Sequence, residues 1–293
     1  MTRPEFKWEL GSRSLYLGKR TLVMGVVNVT PDSFFDGGRH ASFEDALAQA
    51  RRLIEEGADI IDLGGESTRP QSGGIAVGEE MERVVPVIEA LARETDLPLS
   101  IDTKKAEVAQ ASLKAGAVII NDISGGAADP GMLPLAARTG CGLVLMHMRG
   151  TPARMQELTD YRDLLGEVRS ELEGSLRAAL EAGVGAERIV LDPGIGFAKK
   201  PTQNLELIDR LEVLAELGYP LLVGPSRKSF IGFSLQAQNL ADGPDDRLMG
   251  TMAAVAVSAF RGAHILRVHD VGEARQVLAV ADAVREGEFI PST

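Results

Sequence analysis

Apolar residues fall into eight short runs along the chain, which are rich in β-branched side chains and separated by longer amphipathic stretches. Within each run the apolar character is nearly continuous instead of alternating, which is typical of strands buried on both faces of a parallel sheet. The runs are TLVMGVVN, ADIIDLGG, LPLSID, AVIIND, GLVLMH, RIVLDPG, PLLVGPS and AHILRVHD.

The stretches between these runs have the period of amphipathic helices. FEDALAQARRLIEEG places its apolar side chains on one helical face and ends at Gly57, which is a good helix C-cap. Two later stretches, EVAQASLKAG and NLELIDRLEVLAELG, end in the same way at Gly116 and Gly218. This alternation of strand and helix, repeated about eight times, predicts an α/β fold of the (β/α)8 TIM-barrel class.

A doubly wound open sheet is the alternative fold. Such a sheet usually needs fewer strands for this length and often carries a phosphate-binding fingerprint at its first turn. No G-x-G-x-x-G follows the first run, and the chain contains no G-x-x-x-x-G-K-[ST], so we favour the barrel. We predict a single domain over 1–293, with a short hairpin at 5–20 that covers the N-terminal end of a barrel at 21–285.

Composition narrows the class of partner. The net charge of −11 argues against a nucleic-acid or membrane partner, although a few local cations could still bind an anionic small molecule. Cys141 is the only cysteine, so no internal disulfide can form, and the N-terminus has no apolar signal core. We therefore expect a cytoplasmic protein that acts on small-molecule substrates.

Each apolar run ends on polar residues. In a barrel of this class the active site lies at the C-terminal ends of the strands, so these side chains should converge on one rim. Taken singly, each of these residues could simply cap a strand or a helix, or form a salt bridge in the barrel wall, as Asp62 and Asp122 could. Taken together, they predict a pocket. The strand-end residues are Asn28, Asp62, Glu66, Thr68, Arg69, Asp102, Asn121, Asp122, His147, Asp192, Ser226, Arg227, Lys228, Ser229, Arg267 and His269.

The residue types at this rim indicate two kinds of ligand group. Two carboxylates, an amide and an ammonium suit a flat heterocycle with paired N–H donors, which a carboxylate can accept in parallel; these are Asp102, Asn121, Asp192 and Lys228. A second set, Asn28, Arg69, Arg267 and His269, reads as an anion site. A lone Asn beside a diphosphate suggests Mg²⁺, which takes few protein ligands. Lys199 and Lys200 are interpreted as a solvated lead-in to the helix near Thr202.

Eight segments carry a more specific signal, and they stand in order along nearly the whole chain: MGVVNVTPDSFFDGG (24–38), DLGGESTRP (62–70), SIDTKKAEVA (100–109), IINDISGG (119–126), LMHMRGTP (145–152), LDPGIGF (191–197), GPSRKSFIG (224–232) and RVHDV (267–271). Together they resemble the dihydropteroate synthase family. The resemblance implies a transferase of folate biosynthesis that condenses 6-hydroxymethyl-7,8-dihydropterin pyrophosphate with p-aminobenzoate. The family is the target of sulfonamide drugs.

The resemblance also implies the site residues. The pterin pocket would comprise Asp102, Asn121, Met146, Asp192, Phe197, Lys228 and Arg267. The pyrophosphate site would comprise Asn28, Arg69, Arg267 and His269, with Mg²⁺ at Asn28. The p-aminobenzoate site would comprise Phe34, Thr68, Pro70, Lys228 and Ser229. The residues expected to be catalytic are Asn28, Arg69, Asp102, Lys228, Arg267 and His269. Two loops, Thr30 to Gly38 and Glu66 to about Gly74, would close over the pterin, and Phe35 and Gln71 depart there from the usual pattern.

Two other functions stay open at this point. The methyltetrahydrofolate domain of corrinoid methyltransferases shares the pterin-pocket carboxylates, but it would not need the SRKSF and RVHD cations or the NVTPDSF loop. A non-catalytic pterin-binding protein would be expected to lose Arg69, Lys228 or His269, and all three are present. The apolar helical stretches MAAVAVSAF and AVADAV could support the homodimer common in the family.

Overall fold

The structure, a computed structural model, describes residues 3–29, 38–67, 73–240 and 247–290. The chain begins with an antiparallel hairpin of β1 (Phe6–Leu10) and β2 (Arg13–Leu17), which turns at Gly11 with a φ of 76°. The short N-terminal hairpin of the predicted fold is therefore confirmed. Trp8 and Leu10 on this hairpin are fully buried.

Eight parallel strands follow and form a nearly closed barrel: β3 (Leu22–Asn28), β4 (Ile60–Gly64), β5 (Leu99–Asp102), β6 (Ile119–Asp122), β7 (Gly142–Met146), β8 (Ile189–Asp192), β9 (Leu222–Val223) and β10 (Ile265–Val268). Neighbouring strands follow the order β8-β7-β6-β5-β4-β3-β10-β9. The ring closes between β8 and β9 through a single bridge, Leu191 to Leu221, where the Leu191 N–H donates to the Pro220 carbonyl oxygen at 3.0 Å.

Helices connect the strands and cover the outside of the barrel, as predicted. One predicted helix is divided, because the stretch that ends at Gly218 forms α6 (Pro201–Asp209) and α7 (Glu212–Ala215) with a break at 210–211. The helices are α1 (Gly38–Glu55), α2 (Val77–Glu94), α3 (Ala106–Ala115), α4 (Met132–Thr139), α5 (Leu164–Glu181), α6 (Pro201–Asp209), α7 (Glu212–Ala215), α8 (Ser229–Gln236), α9 (Leu248–Phe260) and α10 (Val271–Glu286). Within the described ranges, no helix is long and apolar enough to cross a membrane.

The barrel interior has an apolar floor at its N-terminal end. The strands contribute Met24, Ile60, Ile119, Val144, Val190, Leu222 and Ile265, and the hairpin packs against these from below with Trp8, Leu10 and Leu17. The Trp8 indole N–H donates to the Arg188 carbonyl oxygen at 2.8 Å, so the ring is fixed as well as buried. At Gly142 a Cβ atom would collide with Leu10, which shows how closely the hairpin covers the barrel. The hairpin therefore covers the N-terminal end of the barrel.

Candidate active site

A polar layer lies two residues beyond the apolar floor. Successive side chains of a strand point to opposite faces, so a residue two places after an inward-facing one also points inward. Adding two to the floor positions Ile60, Ile119, Val144, Val190 and Ile265 gives Asp62, Asn121, Met146, Asp192 and Arg267. All but Arg267 are buried, and Arg267 is partly buried. The predicted pterin-site residues of these strands thus share one level of the barrel, at its C-terminal end.

Arg267 connects the acidic residues of this layer. Its Nε donates to Asp62 Oδ2 at 2.6 Å and a terminal nitrogen donates to Asp102 Oδ2 at 2.7 Å. Asn121 Nδ2 also donates to Asp62 Oδ2, at 3.0 Å. Burial raises the pKa of Asp102, and the Arg267 guanidinium opposes that shift. Within the described residues Asp102 Oδ1 has no hydrogen-bond partner, so this oxygen remains available to a ligand.

Asp62 is therefore a residue of this layer to which the sequence analysis gave no ligand role, although it counted Asp62 among the strand ends. Its side chain is fully buried and orients Arg267 and Asn121, both of which were predicted to bind ligand. Its position two residues after inward-facing Ile60 was the signal that could have identified it.

Asp192 ends β8 and begins a tight turn. Its Oδ1 accepts the Gly194 N–H at 2.7 Å, and burial raises its pKa to about 6 against the opposing influence of that bond and of Lys228. Gly194 has a φ of 69° and Gly196 a φ of 85°. A Cβ at Gly194 would collide with the His147 carbonyl oxygen, and one at Gly196 with the Lys228 side chain. These glycines keep the turn close against β7 and Lys228.

Apolar side chains form a wall beside Asp192. Met146 and Phe197 are buried in a small cluster with Ile123, Met155 and Ala198. Lys228 Nζ lies 4.0 Å from the centroid of the Phe197 ring, a cation–π distance. Burial lowers the pKa of Lys228 to about 8, and the Asp192 carboxylate opposes the shift. The structure therefore brings the predicted pocket residues Met146, Asp192, Phe197 and Lys228 together.

The predicted anion site is placed in part. Asn28 ends β3 and is half-buried at the rim. His269 follows β10, and its Nδ1 lies 2.9 Å from the Ser226 hydroxyl oxygen. Burial and the nearby Arg267 and Arg227 cations lower the pKa of His269 to about 4. The sequence analysis grouped His269 with the cations; near neutral pH it is instead an uncharged ring that can offer an N–H.

The structure describes only some of the remaining predicted residues. Ser229 is the first residue of α8 and is exposed. Other predicted residues lie outside the described residues, namely Phe34, Thr68, Arg69 and Pro70, as do the departures at Phe35 and Gln71. Their roles stay predictions from the family resemblance.

One interpretation from the sequence is wrong. Lys199 is not a solvated residue, because only 3% of its surface is exposed and its Nζ lies within hydrogen-bond distance of three acceptors. Lys200 does behave as expected: it is the N-cap of α6, and its exposed ammonium pairs with Asp160 at 2.8 Å. The difference arises from the turn, which directs Lys199 inward behind Asp192.

Comparison with known proteins relates this site to an established family. The sequence model of the family described as pterin binding enzyme matches residues 24–269. A dihydropteroate synthase of Synechocystis is 50% identical over 267 residues, which cover 91% of each chain. The chain belongs to the dihydropteroate synthases of the pterin-binding enzyme family. The family resemblance of the eight sequence segments is thereby confirmed.

Two solved dihydropteroate synthases of Xanthomonas albilineans share the fold. The one solved with 4-aminobenzoic acid has a TM-score of 0.89 and 44% identity, covering 98% of this chain and 100% of its own. The other, in complex with 7,8-dihydropteroate, has a TM-score of 0.82 and 43% identity, covering 94% and 97%. The predicted (β/α)8 barrel with its N-terminal hairpin is confirmed by these structures.

Proposed function

We propose that this dihydropteroate synthase condenses 6-hydroxymethyl-7,8-dihydropterin pyrophosphate with p-aminobenzoate, giving 7,8-dihydropteroate and pyrophosphate. The observation that carries the proposal is the polar layer at the C-terminal end of the barrel, which combines Asp102, Asn121 and Asp192 with Lys228. Carboxylates at two sides of a pocket, with an amide and an ammonium, match the donors and acceptors of a pterin ring.

The pterin would lie against the turn after β8. Asp192 keeps one oxygen without a partner in the described part of the chain, and Oδ1 retains a second lone pair, so the carboxylate can accept two parallel N–H bonds. Asp102 Oδ1 and Asn121 supply further polar atoms, and Met146 and Phe197 supply the apolar wall. Arg267 belongs to the same layer, and its planar guanidinium can stack on a flat ring.

Loss of pyrophosphate is the first chemical step of the proposal. The C–O bond between the pterin methylene carbon and the diphosphate breaks, and its electron pair leaves with the diphosphate. Arg267 and His269 would stabilise this leaving group, His269 through a neutral N–H, and Arg69 would assist them. The carboxylates Asp102 and Asp192 offset the positive charge that develops on the pterin.

Attack by the arylamine completes the reaction. The amine nitrogen lone pair forms a C–N bond to the methylene carbon, and the nitrogen then loses a proton to solvent. An arylamine is mostly neutral at pH 7, so no strong general base is required. Lys228 and Ser229 would contact the p-aminobenzoate, together with Phe34, Thr68 and Pro70.

A magnesium ion fits the donor set of the anion site. In the part of the chain that the structure describes, no group of three or more His, Cys, Asp or Glu side chains is placed to hold a metal ion. Mg²⁺ needs no such group, because substrate phosphate oxygens and waters complete its shell around one or two protein oxygens. The Asn28 carboxamide oxygen would hold the ion, which would neutralise charge on the departing diphosphate.

A homodimer is the second part of the proposal. What supports it is an apolar groove of about 330 Å³ between α6, α8 and α9, flanked by exposed side chains. Leu205 and Val257 line the groove and are exposed, and on the same helices Phe233, Met249 and Phe260 are each more than half exposed. Sedimentation of the wild type and of Met249→Glu tests it, since a charge on the contact surface should yield monomers. A cytoplasmic location stays a prediction from the sequence.

The assay of pyrophosphate release tests the proposed reaction. We expect release that requires both p-aminobenzoate and Mg²⁺ and that yields a product with the mass of dihydropteroate. Release without p-aminobenzoate would point to a hydrolase, and absence of any release with both substrates would contradict the proposal.

A further inference from the structure

Lys199 lies directly behind the turn that carries two proposed pterin-binding residues. Its Nζ donates to the carbonyl oxygens of Gly194 at 3.1 Å and Phe197 at 2.9 Å. Nζ also lies 2.9 Å from His147 Nδ1. The two carbonyls belong to the same turn, and the Phe197 N–H donates to the Gly194 carbonyl oxygen at 3.0 Å. One side chain therefore fixes both ends of that turn.

The contact between His147 and Glu171 indicates the charge state of the Lys199 side chain. Three acceptors surround Nζ, and an ammonium has three N–H donors whereas a neutral amine has two. The Glu171 carboxylate can only accept, so the His147 nitrogen that faces it, Nε2, carries the proton. Burial lowers the pKa of His147, so the ring is neutral and its Nδ1 accepts from Lys199. His147 Nε2 lies 3.0 Å from Glu171 Oε2, where it can donate. Glu171 thus orients His147, and His147 in turn orients Lys199.

The charged groups around Lys199 have opposing effects on its pKa. Asp192 on β8 and Glu171 on α5 favour the ammonium, while Lys228 and Arg149 disfavour it. Burial is the largest influence and lowers the pKa of Lys199 to about 7. Keeping an ammonium in such a place is costly unless all its donors are used, as they are here.

We propose that Lys199 is a positioning residue for the pterin pocket: from behind the turn, its ammonium holds Gly194 and Phe197 so that Asp192 and the Phe197 ring face the ligand. The inference rests on the pterin site proposed above. Gly194 transmits the effect, because its N–H donates to Asp192 while its carbonyl accepts from Lys199. Lys199 itself does not contact the reacting atoms.

The test compares Lys199→Met with Lys200→Met. Lys200 is adjacent, exposed and paired only with surface Asp160 among its side-chain contacts to described residues, so its variant is a matched control. Calorimetry measures binding of 6-hydroxymethyl-7,8-dihydropterin and, separately, of inorganic pyrophosphate with Mg²⁺. We expect Lys199→Met to bind the pterin about 30-fold more weakly and pyrophosphate within twofold of wild type, with Lys200→Met unchanged for both.

Three outcomes would overturn the inference. They are normal pterin affinity in Lys199→Met, equal losses for pterin and pyrophosphate, and an equal loss in Lys200→Met. Asp192→Ala separates the inference from the proposed site. Normal pterin binding in Asp192→Ala contradicts the site itself, whereas loss in Asp192→Ala with normal binding in Lys199→Met contradicts only the role of Lys199.

A measurement on the wild type covers the case in which Lys199→Met does not fold. Nitrogen-15 NMR of the histidine rings, with the His147 signals assigned through a His147→Gln variant, reports which ring nitrogen carries the proton. We expect the proton on Nε2 at pH 7. A proton on Nδ1 would contradict the inference, because Lys199 could not donate to that nitrogen.

Discussion

Asp282 and Asp192 are both buried carboxylates, but they lie at opposite ends of the barrel and use their oxygens differently. At the N-terminal end, Asp282 accepts from the Thr21 N–H at 2.6 Å and the Thr21 hydroxyl at 2.8 Å, and it pairs with Arg3 and Arg285. At the C-terminal end, the described residues give the Asp192 carboxylate a single hydrogen bond, from the Gly194 N–H.

The two histidines that flank β10 repeat this contrast. His264 accepts the Leu221 N–H on Nδ1 at 3.1 Å, and its Nε2 lies 3.0 Å from the Pro4 carbonyl oxygen. His269 uses Nδ1 toward Ser226, and in the described part of the chain its Nε2 has no partner. In these two pairs, the residue at the ligand-binding end leaves hydrogen-bonding capacity unused, while Asp282 and His264 use both of their side-chain oxygens or nitrogens near the hairpin.

The aspartate pair gives the largest expected effects. Asp192→Ala should weaken pterin binding by about 100-fold or more, because losing the charged acceptor of paired N–H donors costs about 3 kcal/mol. Asp282→Ala should leave pterin binding unchanged and lower the free energy of unfolding by about 3 kcal/mol, since it leaves buried cations unpaired. Calorimetry and urea unfolding measure the two. Near-normal pterin affinity in Asp192→Ala would contradict the assignment of Asp192 to the pterin pocket.

The two histidine variants should show smaller effects on ligand affinity and stability than the two aspartate variants. His269→Ala is expected to weaken pyrophosphate binding about tenfold, the value of one hydrogen bond, and to affect pterin binding less. His264→Ala should lower the melting temperature without changing either affinity. Titration of pyrophosphate and of the free pterin into each variant provides the measurement. Equal losses for the two ligands in His269→Ala would contradict its place in the anion site.

Acid should destabilise the hairpin end gradually. Burial and the Arg3 cation lower the pKa of His264 from its ordinary 6.5 to about 3. Between these values the unfolded chain binds a proton that the folded chain excludes, so stability is complete above about pH 6.5 and is lost as the pH falls toward 3. Through His264, the free energy of unfolding should change by at most about 1.4 kcal/mol per pH unit. Measured by urea unfolding from pH 7 to pH 4, the free energy of unfolding should depend less steeply on pH in His264→Gln than in the wild type. Identical slopes for the two proteins would refute this.

The sequence was sufficient to predict the barrel, because continuous apolar runs and helical stretches are local patterns. It also placed the strand-end residues on one rim, since parallel strands all end on the same side. It did not predict that Arg267 pairs with Asp62, because the two residues are 205 positions apart and only closure of the ring brings them together. Nor did it separate Lys199 from Lys200, because the turn at 194–198, where Ala198 has a φ of 49°, decides which side chain points inward.

The single bridge between Leu191 and Leu221 has a consequence for how the ligand affects the whole barrel. Every other neighbouring pair of strands shares at least two paired positions, so this junction should open most readily and its amides should exchange fastest with solvent. Asp192 and Lys228 stand on opposite sides of it. A pterin held by both would cross-link the junction. Substrate binding should therefore slow hydrogen exchange at the Leu191 amide and stiffen the barrel at the junction that has the fewest strand-to-strand pairs.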